Sequence, residues 1–371
     1  MKNLFILLSF SFYLLSSALA QENRPHDAYW AEEQGYFSNL HPTEYGIVAS
    51  SNNCNEIYLI GNGELKMLVS APGCGRYMQL SPDGKTIGFK YISENGMQSP
   101  ALLDLSNGKI QFLAEPSSLC GQPSFSANGD IVVSDTTGFS VFRKSGNIEY
   151  FSSGTYANYT AVSPDGNFVV YNDNNDQLQM TDTRTKTVVA ISPEGCALPE
   201  FSPSGKYISF VSSLQRIYIY STAQNRIVTT LYGTAAEWHP SQDMLAYNYT
   251  ESENYTITSS EIKMYNAETS AESVIAGGSE NLYFDPAFDK SGNIYFHDQV
   301  NLGIFSSRNN VPFCIYRHNG KLPMHFFDTQ KSTLSIITVP GTVPYVHQVY
   351  DTPTWHSGYW SCAPTTSAMA F

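Results

Sequence analysis

After its first twenty residues the chain has no apolar run near the roughly eighteen residues that a membrane helix requires, which excludes a later span. Its six cysteines, at 54, 74, 120, 196, 314 and 362, include no CxxC pair, and their wide spacing indicates neither a zinc site nor a dense disulfide scaffold. Positive charge is scarce: 20 Lys and Arg stand against 33 Asp and Glu, a formal charge of −13, with no basic cluster. Such a surface repels phosphate backbones and anionic lipid, so nucleic acid is not an expected partner. Charged residues of both signs make up only 14% of the chain, while 42% is apolar, enough for a packed core, so disorder is excluded too. What is plentiful is tyrosine (25), phenylalanine (21), glycine (26) and proline (19), a composition of strands and tight turns.

The opening "MKNLFILLSFSFYLLSSALA" has one cation at Lys2, an apolar run from Leu4 to Leu15, and small residues at Ala18 and Ala20 ahead of the polar "QENRPHD". This is the anatomy of a cleavable secretory signal over 1–20, with the mature chain starting near Gln21 and a short linker over 21–35. The protein is expected to be exported, to a periplasm or the extracellular space, and the lack of a cysteine just after the signal argues against a lipid anchor. The sequons at Asn158, Asn248 and Asn254 matter only in a eukaryotic secretory pathway, and the signal has a bacterial character.

Seven phrases share one pattern: "LHPTEYGIVAS", "LSPDGKTIGFK", "FSANGDIVVSD", "VSPDGNFVVYN", "FSPSGKYISFV", "WHPSQDMLAYN" and "FDKSGNIYFHD". An apolar residue leads into a turn of Pro, Asp and Gly, then into an alternating strand. Successive phrases are 40, 45, 37, 39, 37 and 50 residues apart, a period of one supersecondary unit. Between them lie hairpin patterns such as "EIYLIGNGELKMLV" and "RIYIYSTAQNRIVTTL". Two hairpins per repeat give four strands, and four-stranded units of about forty residues arranged around an axis form a β-propeller. In "SPDG" Pro fixes one φ, Asp bonds back to its own backbone and Gly takes the positive φ that follows. "HPTE" and "HPSQ" lack that Gly and are expected to be looser turns, with His41 and His239 as equivalent turn residues. Several of the cysteines read equally well as small buried core residues; Cys74, Cys120 and Cys196 fall at matching points before three of the turns, near one mouth of the channel, as small ring-filling side chains or a cross-channel disulfide rather than metal ligands. Asp83, Asp130, Asp165 and Asp173 sit in turns or strand ends and mark no acid–base pair.

The phrases "LSPDGKTIGF", "VSPDGNFVVY" and "FSPSGKYISF" resemble the repeat of TolB-like periplasmic propellers over residues 36–318. The resemblance implies an all-β propeller of seven blades, or of six with N-terminal strands completing the last, and it leaves function open, because propellers host enzymes, binding modules and scaffolds alike. A protein or peptide ligand on one propeller face is the expected partner, and no cofactor or metal is expected.

After a linker over 319–342 the chain reads "TVPYVHQVYDTPTWHSGYWSCAPTTSAMAF". A thiol attacks as thiolate and gains from a helix N-terminus, and Cys362 followed by Pro364 and an apolar run ending in Ala368, Met369 and Phe371 is such a junction. The Cys362 backbone N–H and the Gln348 side chain are candidate donors to an oxyanion. Val343, Pro344, Tyr345, Gln348, Trp360, Cys362, Ala363 and Pro364, in that order, resemble the start of papain-like, bacteriocin-processing-type cysteine peptidase domains, although Ala363 stands where that family often has Gly. The resemblance implies an α+β domain beginning at 343, with Cys362 as nucleophile and Gln348 in the oxyanion hole. Its histidine and its Asp or Asn lie downstream of the cysteine in that family, whereas here only His347 and His356, upstream, are at hand. The segment 343–371 therefore reads as the incomplete first part of such a domain, and this polypeptide as inactive on its own. Three accounts follow: an exported propeller fused to a cysteine hydrolase, a non-enzymatic interaction propeller with a vestigial tail, and a propeller with its own catalytic site at the channel mouth.

Overall fold

The turn chemistry is realised in atomic detail. In the second repeat Ser81 N–H donates to the Thr86 carbonyl and Gly84 N–H to that of Ser81, while the Asp83 carboxylate accepts from the Ser81 hydroxyl (2.6 Å) and from Lys85 N–H. Gly84 closes the turn at φ +72, which an L side chain rarely adopts. Ser163, Asp165 and Gly166 repeat the arrangement in "VSPDG".

These turns recur around a ring. The computed structural model describes residues 35–325 apart from 254, 255 and 280. Its strands form seven four-stranded antiparallel sheets, blades 1 to 7, over residues 37–70, 79–112, 124–152, 160–190, 196–232, 234–278 and 283–317. Every blade is built from one contiguous stretch of chain with its strands in sequence order, and no helix occurs among the described residues. First strands of neighbouring blades touch one another, as Phe37–Thr43 and Thr234–Trp238 both touch Tyr283–Phe288, so the first strand is innermost. The fourth strand is the outer rim: Ile110–Phe112 and Val188–Ala190 are exposed along their whole length.

The core lies between blades. In the second strand of blade 5, Tyr207–Ser212, Ile208 and Phe210 pack with Val170 and Met180 of blade 4, while Tyr207 and Val211 turn to Leu245 and Tyr247 of blade 6. A strand buried on both faces reads as a nearly unbroken apolar run rather than as an alternation, which accounts for "IVVS" and "FVVY". Blades approach closely where side chains are small: a Cβ on Gly88 of blade 2 would lie 2.8 Å from the Phe125 ring of blade 3.

The ring has the seven blades expected, and among the described residues no N-terminal strand completes the last one. Other expectations change. The turn of blade 1 is tighter than "SPDG", because Thr43 pairs directly with Gly46 and Pro42, not Leu40, holds the place of Leu80. Consequently His41 is no turn residue but belongs to the innermost strand, whereas His239 does open its turn, donating its N–H to the Met244 carbonyl. The blade 6 turn keeps the length of "SPDG" without glycine, with His239 Nδ1 accepting from Ser241 N–H. Cys74 and Cys196 are buried in the cores between blades instead of ringing the channel, and all five described cysteines are free thiols. Signal, linker residues from 326 onward, Gln348, Cys362, His347, His356 and the expected helix lie outside the described residues.

Candidate functional site: the axial channel and its mouth

The innermost strands share a device that the repeat pattern did not reveal. Asn39, Tyr77, Leu198, Ala235 and Asp285 all have φ between +48 and +55. Each stands two residues before the one that resumes pairing with the second strand: His41, Gln79, Glu200, Glu237 and Ala287. Four of the five are recorded breaks in register, the β-bulges that re-aim a side chain at a barrel or ring centre. The equivalent positions after the bulge therefore form a ring around the axis, with His41, Glu200 and Glu237 as its titratable members.

Glu200 and Glu237 come from adjacent blades, are half-buried in the channel wall, and have no ion-pair partner among the described residues. Burial raises the Glu237 carboxyl to about 7. Burial, and then the neighbouring Glu237, raise Glu200 well above the carboxylate range, against the backbone N–H of Trp238 that favours its charged form. Both carboxyls are thus shifted toward the protonated form, the expected direction for like charges in a confined site. His41 is kept neutral, lowered to about 4 by burial, with Nε2 3.0 Å from the Met78 carbonyl oxygen.

Connections between the fourth strand of one blade and the first of the next build one mouth of this channel. Tyr77 of the blade 1–2 connection and Tyr159 of the blade 3–4 connection meet edge to face at 5.2 Å and pack on Ala197 of blade 5, so aromatic rings from separated blades narrow the opening. Asn39 Nδ2 donates to the Gly75 carbonyl, fixing blade 1 to this segment. Exposed Arg76 and half-buried Lys90 supply two cations on the blade 2 side; Lys90 Nζ donates to the Tyr156 hydroxyl, which donates to the Cys120 carbonyl. Beside the blade 1 segment lies Asp285 of blade 7, raised to about 6 by burial although Asn39 N–H donates to it. The mouth thus carries two cations, Arg76 and Lys90, together with the Asp285 carboxyl.

Four of the five described thiols are held in the protonated, unreactive form. Burial pushes Cys74 and Cys196 up to about 12, Cys120 up to about 11, and Cys54 upward in spite of Arg76. Among the described residues no cluster of His, Cys, Asp or Glu has the makings of a metal site, and no helix is long and apolar enough to cross a membrane. The carboxyl pair was the feature that sequence reading missed, and its signal was present: an acid directly before the aromatic residue that leads a phrase, as in "CALPEF" and "TAAEW".

The sequence matches no protein-family model and no curated protein. Solved structures do match in fold. A chain of the "Crystal Structure of Mitotic Checkpoint Complex" is similar at a TM-score of 0.51 with 11% identity, over 70% of this chain and 87% of that one. The "Crystal structure of the tricorn protease" is similar at 0.50 with 10% identity, over 75% of this chain but only 33% of that longer one. At such identities the likeness establishes the β-propeller and nothing about chemistry.

Proposed function

We propose that the propeller is the ligand-binding module of an exported cysteine hydrolase, holding a protein or peptide at the channel mouth for a papain-like segment that begins at 343. In that segment Cys362 is the nucleophile and Gln348 an oxyanion donor, and the bond broken is a peptide or amide. The observation that carries the reading is the path the chain takes after blade 7: His325 is bound to the loop 53–56 of blade 1. That loop lies on the face that bears the mouth, since Gly75 N–H donates to the Cys54 carbonyl. From there the 17 residues 326–342 reach at most about 60 Å when extended, enough to cross a propeller face. The raised thiols within the ring support the division of labour, with binding in the propeller and nucleophilic chemistry in the tail.

The test is peptide hydrolysis by protein expressed from the natural gene with whatever codons follow Phe371. Cys362→Ala is expected to abolish turnover, Gln348→Ala to lower kcat by about 10²–10³, and Arg76→Glu with Lys90→Glu to raise KM alone. Turnover indifferent to Cys362→Ala would overturn the assignment. A second reading draws on Glu200 and Glu237, neighbouring acids of adjacent blades whose carboxyls are both raised toward protonation, as a general acid's must be; activity that survives deletion of 341–371 and disappears in Glu237→Gln would establish it. Binding of peptide without any turnover would leave the non-enzymatic interaction propeller.

A further inference from the structure

Seven blades make seven joints, and six of them are crossed by the chain as it passes from one blade to the next. The joint between blade 7 and blade 1 is not. Many rings exchange a strand at this point, but here Phe37–Thr43 and Val311–Arg317 both stay in their own sheets. An apolar seam of Phe37, Ile47 and Tyr58 against Ala287 and Ile304 joins them, and it opens without breaking a single sheet hydrogen bond.

Besides the bond from Asn39 N–H to Asp285, the segment 318–325 crosses the seam. Leu322 is 5% exposed in the seam core, and the Tyr58 hydroxyl donates to the Pro323 carbonyl. Asn53 and Asn55 both donate side-chain N–H groups to the His325 carbonyl at 2.9 Å. Glu56, fully buried, accepts from His325 N–H, with His325 Nδ1 3.1 Å away, while its other oxygen accepts from the Ser51 hydroxyl. These contacts end at the margin: the His325 side chain is 55% exposed and so accessible to competing water. Inside the seam stands a polar defect. His297 is 2% exposed, neither ring nitrogen has a hydrogen-bond partner among the described residues, and the nearest carboxylate there, Asp285 Oδ2, is 3.7 Å from Nδ1, too far for a bond. Burying unpaired polar atoms costs free energy at this joint that opening would return.

We infer that 318–325 is a releasable clasp on the closing seam: latched on Glu56, Asn53 and Asn55 it holds the ring shut, and released it lets blades 7 and 1 part first. Because the chain beyond His325 continues from the clasp itself, load or binding on that continuation acts directly on the ring's closure. The inference uses contacts within residues 35–325 and requires nothing of Cys362.

Hydrogen exchange read by mass spectrometry on the full chain tests it. In His325→Ala, which removes the imidazole contacts with Glu56 and Ser70 and keeps the backbone ones, amides of 37–51 and 283–298 are expected to exchange about 3- to 10-fold faster, and in Asn53→Ala/Asn55→Ala faster still, while 160–190 in blade 4 keeps its wild-type rate. Unchanged exchange at the seam in both variants would overturn the clasp. So would acceleration shared equally by all seven blades, because that would mean a general loss of stability. Should the double variant not fold, the single variant decides by the same comparison.

Discussion

Replacing Glu237 by Gln isolates the one electrostatic conflict that the ring builds at its centre. The Glu237 carboxyl titrates at about 7 in the folded protein against an ordinary 4.5, so between these values the folded state holds a proton that the unfolded chain has released. Stability is therefore intact below pH 4.5 and is lost as pH rises through 7. The difference corresponds to about 3 kcal/mol at full weight, and about 2 once the water in the channel screens part of the charge. Gln keeps the shape and cannot ionise. The variant should match wild type in its urea midpoint at pH 4.5 and exceed it by about 2 kcal/mol at pH 8. Glu200 sharpens the contrast, because removing its charged neighbour also eases its own ionisation. His41 and His297, held neutral at about 4 and about 3, act oppositely and cost stability as pH falls below the ordinary 6.5, but they are common to both proteins and cancel in the comparison. Urea curves that run parallel from pH 4.5 to 8 would refute the placement of the two carboxyls in a shared, poorly solvated site.

Other consequences are open to simpler assays. Phe210, fully buried between blades 4 and 5, should cost about 3–5 kcal/mol when cut to Ala, read as a lowered urea midpoint. Gly88→Ala sets a methyl against the Phe125 ring and should cost about 1–3 kcal/mol, with recovery when Phe125 is shortened to Leu in the same chain. Site-resolved alkylation at pH 8 should label exposed Cys314 first and leave Cys74, Cys120 and Cys196 untouched until urea unfolds the ring; early labelling of Cys196 would contradict its burial and raised pKa.

The blades were legible because each repeat states its own turn: Ser, Pro, Asp and Gly carry their hydrogen bonds locally, and no distant residue is needed to know that Ser81 and Asp83 will meet. Glu200 and Glu237 were not legible in that way. Between them lie 36 residues of outer strands that contribute nothing to their encounter, and what brings them together is a property of the closed ring, in which equivalent positions converge on an axis. The bulges made the concealment worse, since Leu198 and Ala235 adopt positive φ without the glycine that would have announced it. His41 shows the converse error: the shared "HP" of "LHPT" and "WHPS" suggested equivalence with His239, yet the shorter turn of blade 1 slides the register by two residues and carries His41 into the channel. A two-residue slide preserves the alternation of faces, so hydrophobic pattern alone could not detect it. The clasp is the extreme case. Nothing in "HNGKLPMH" has strand or helix periodicity, and its role arises from partners about 270 positions earlier in the chain, at Asn53, Asn55 and Glu56. Local chemistry specifies the blades, but the channel and the seam exist only once the last blade reaches the first, and it is there that this fold keeps its unpaired carboxyls and its unpaired histidine.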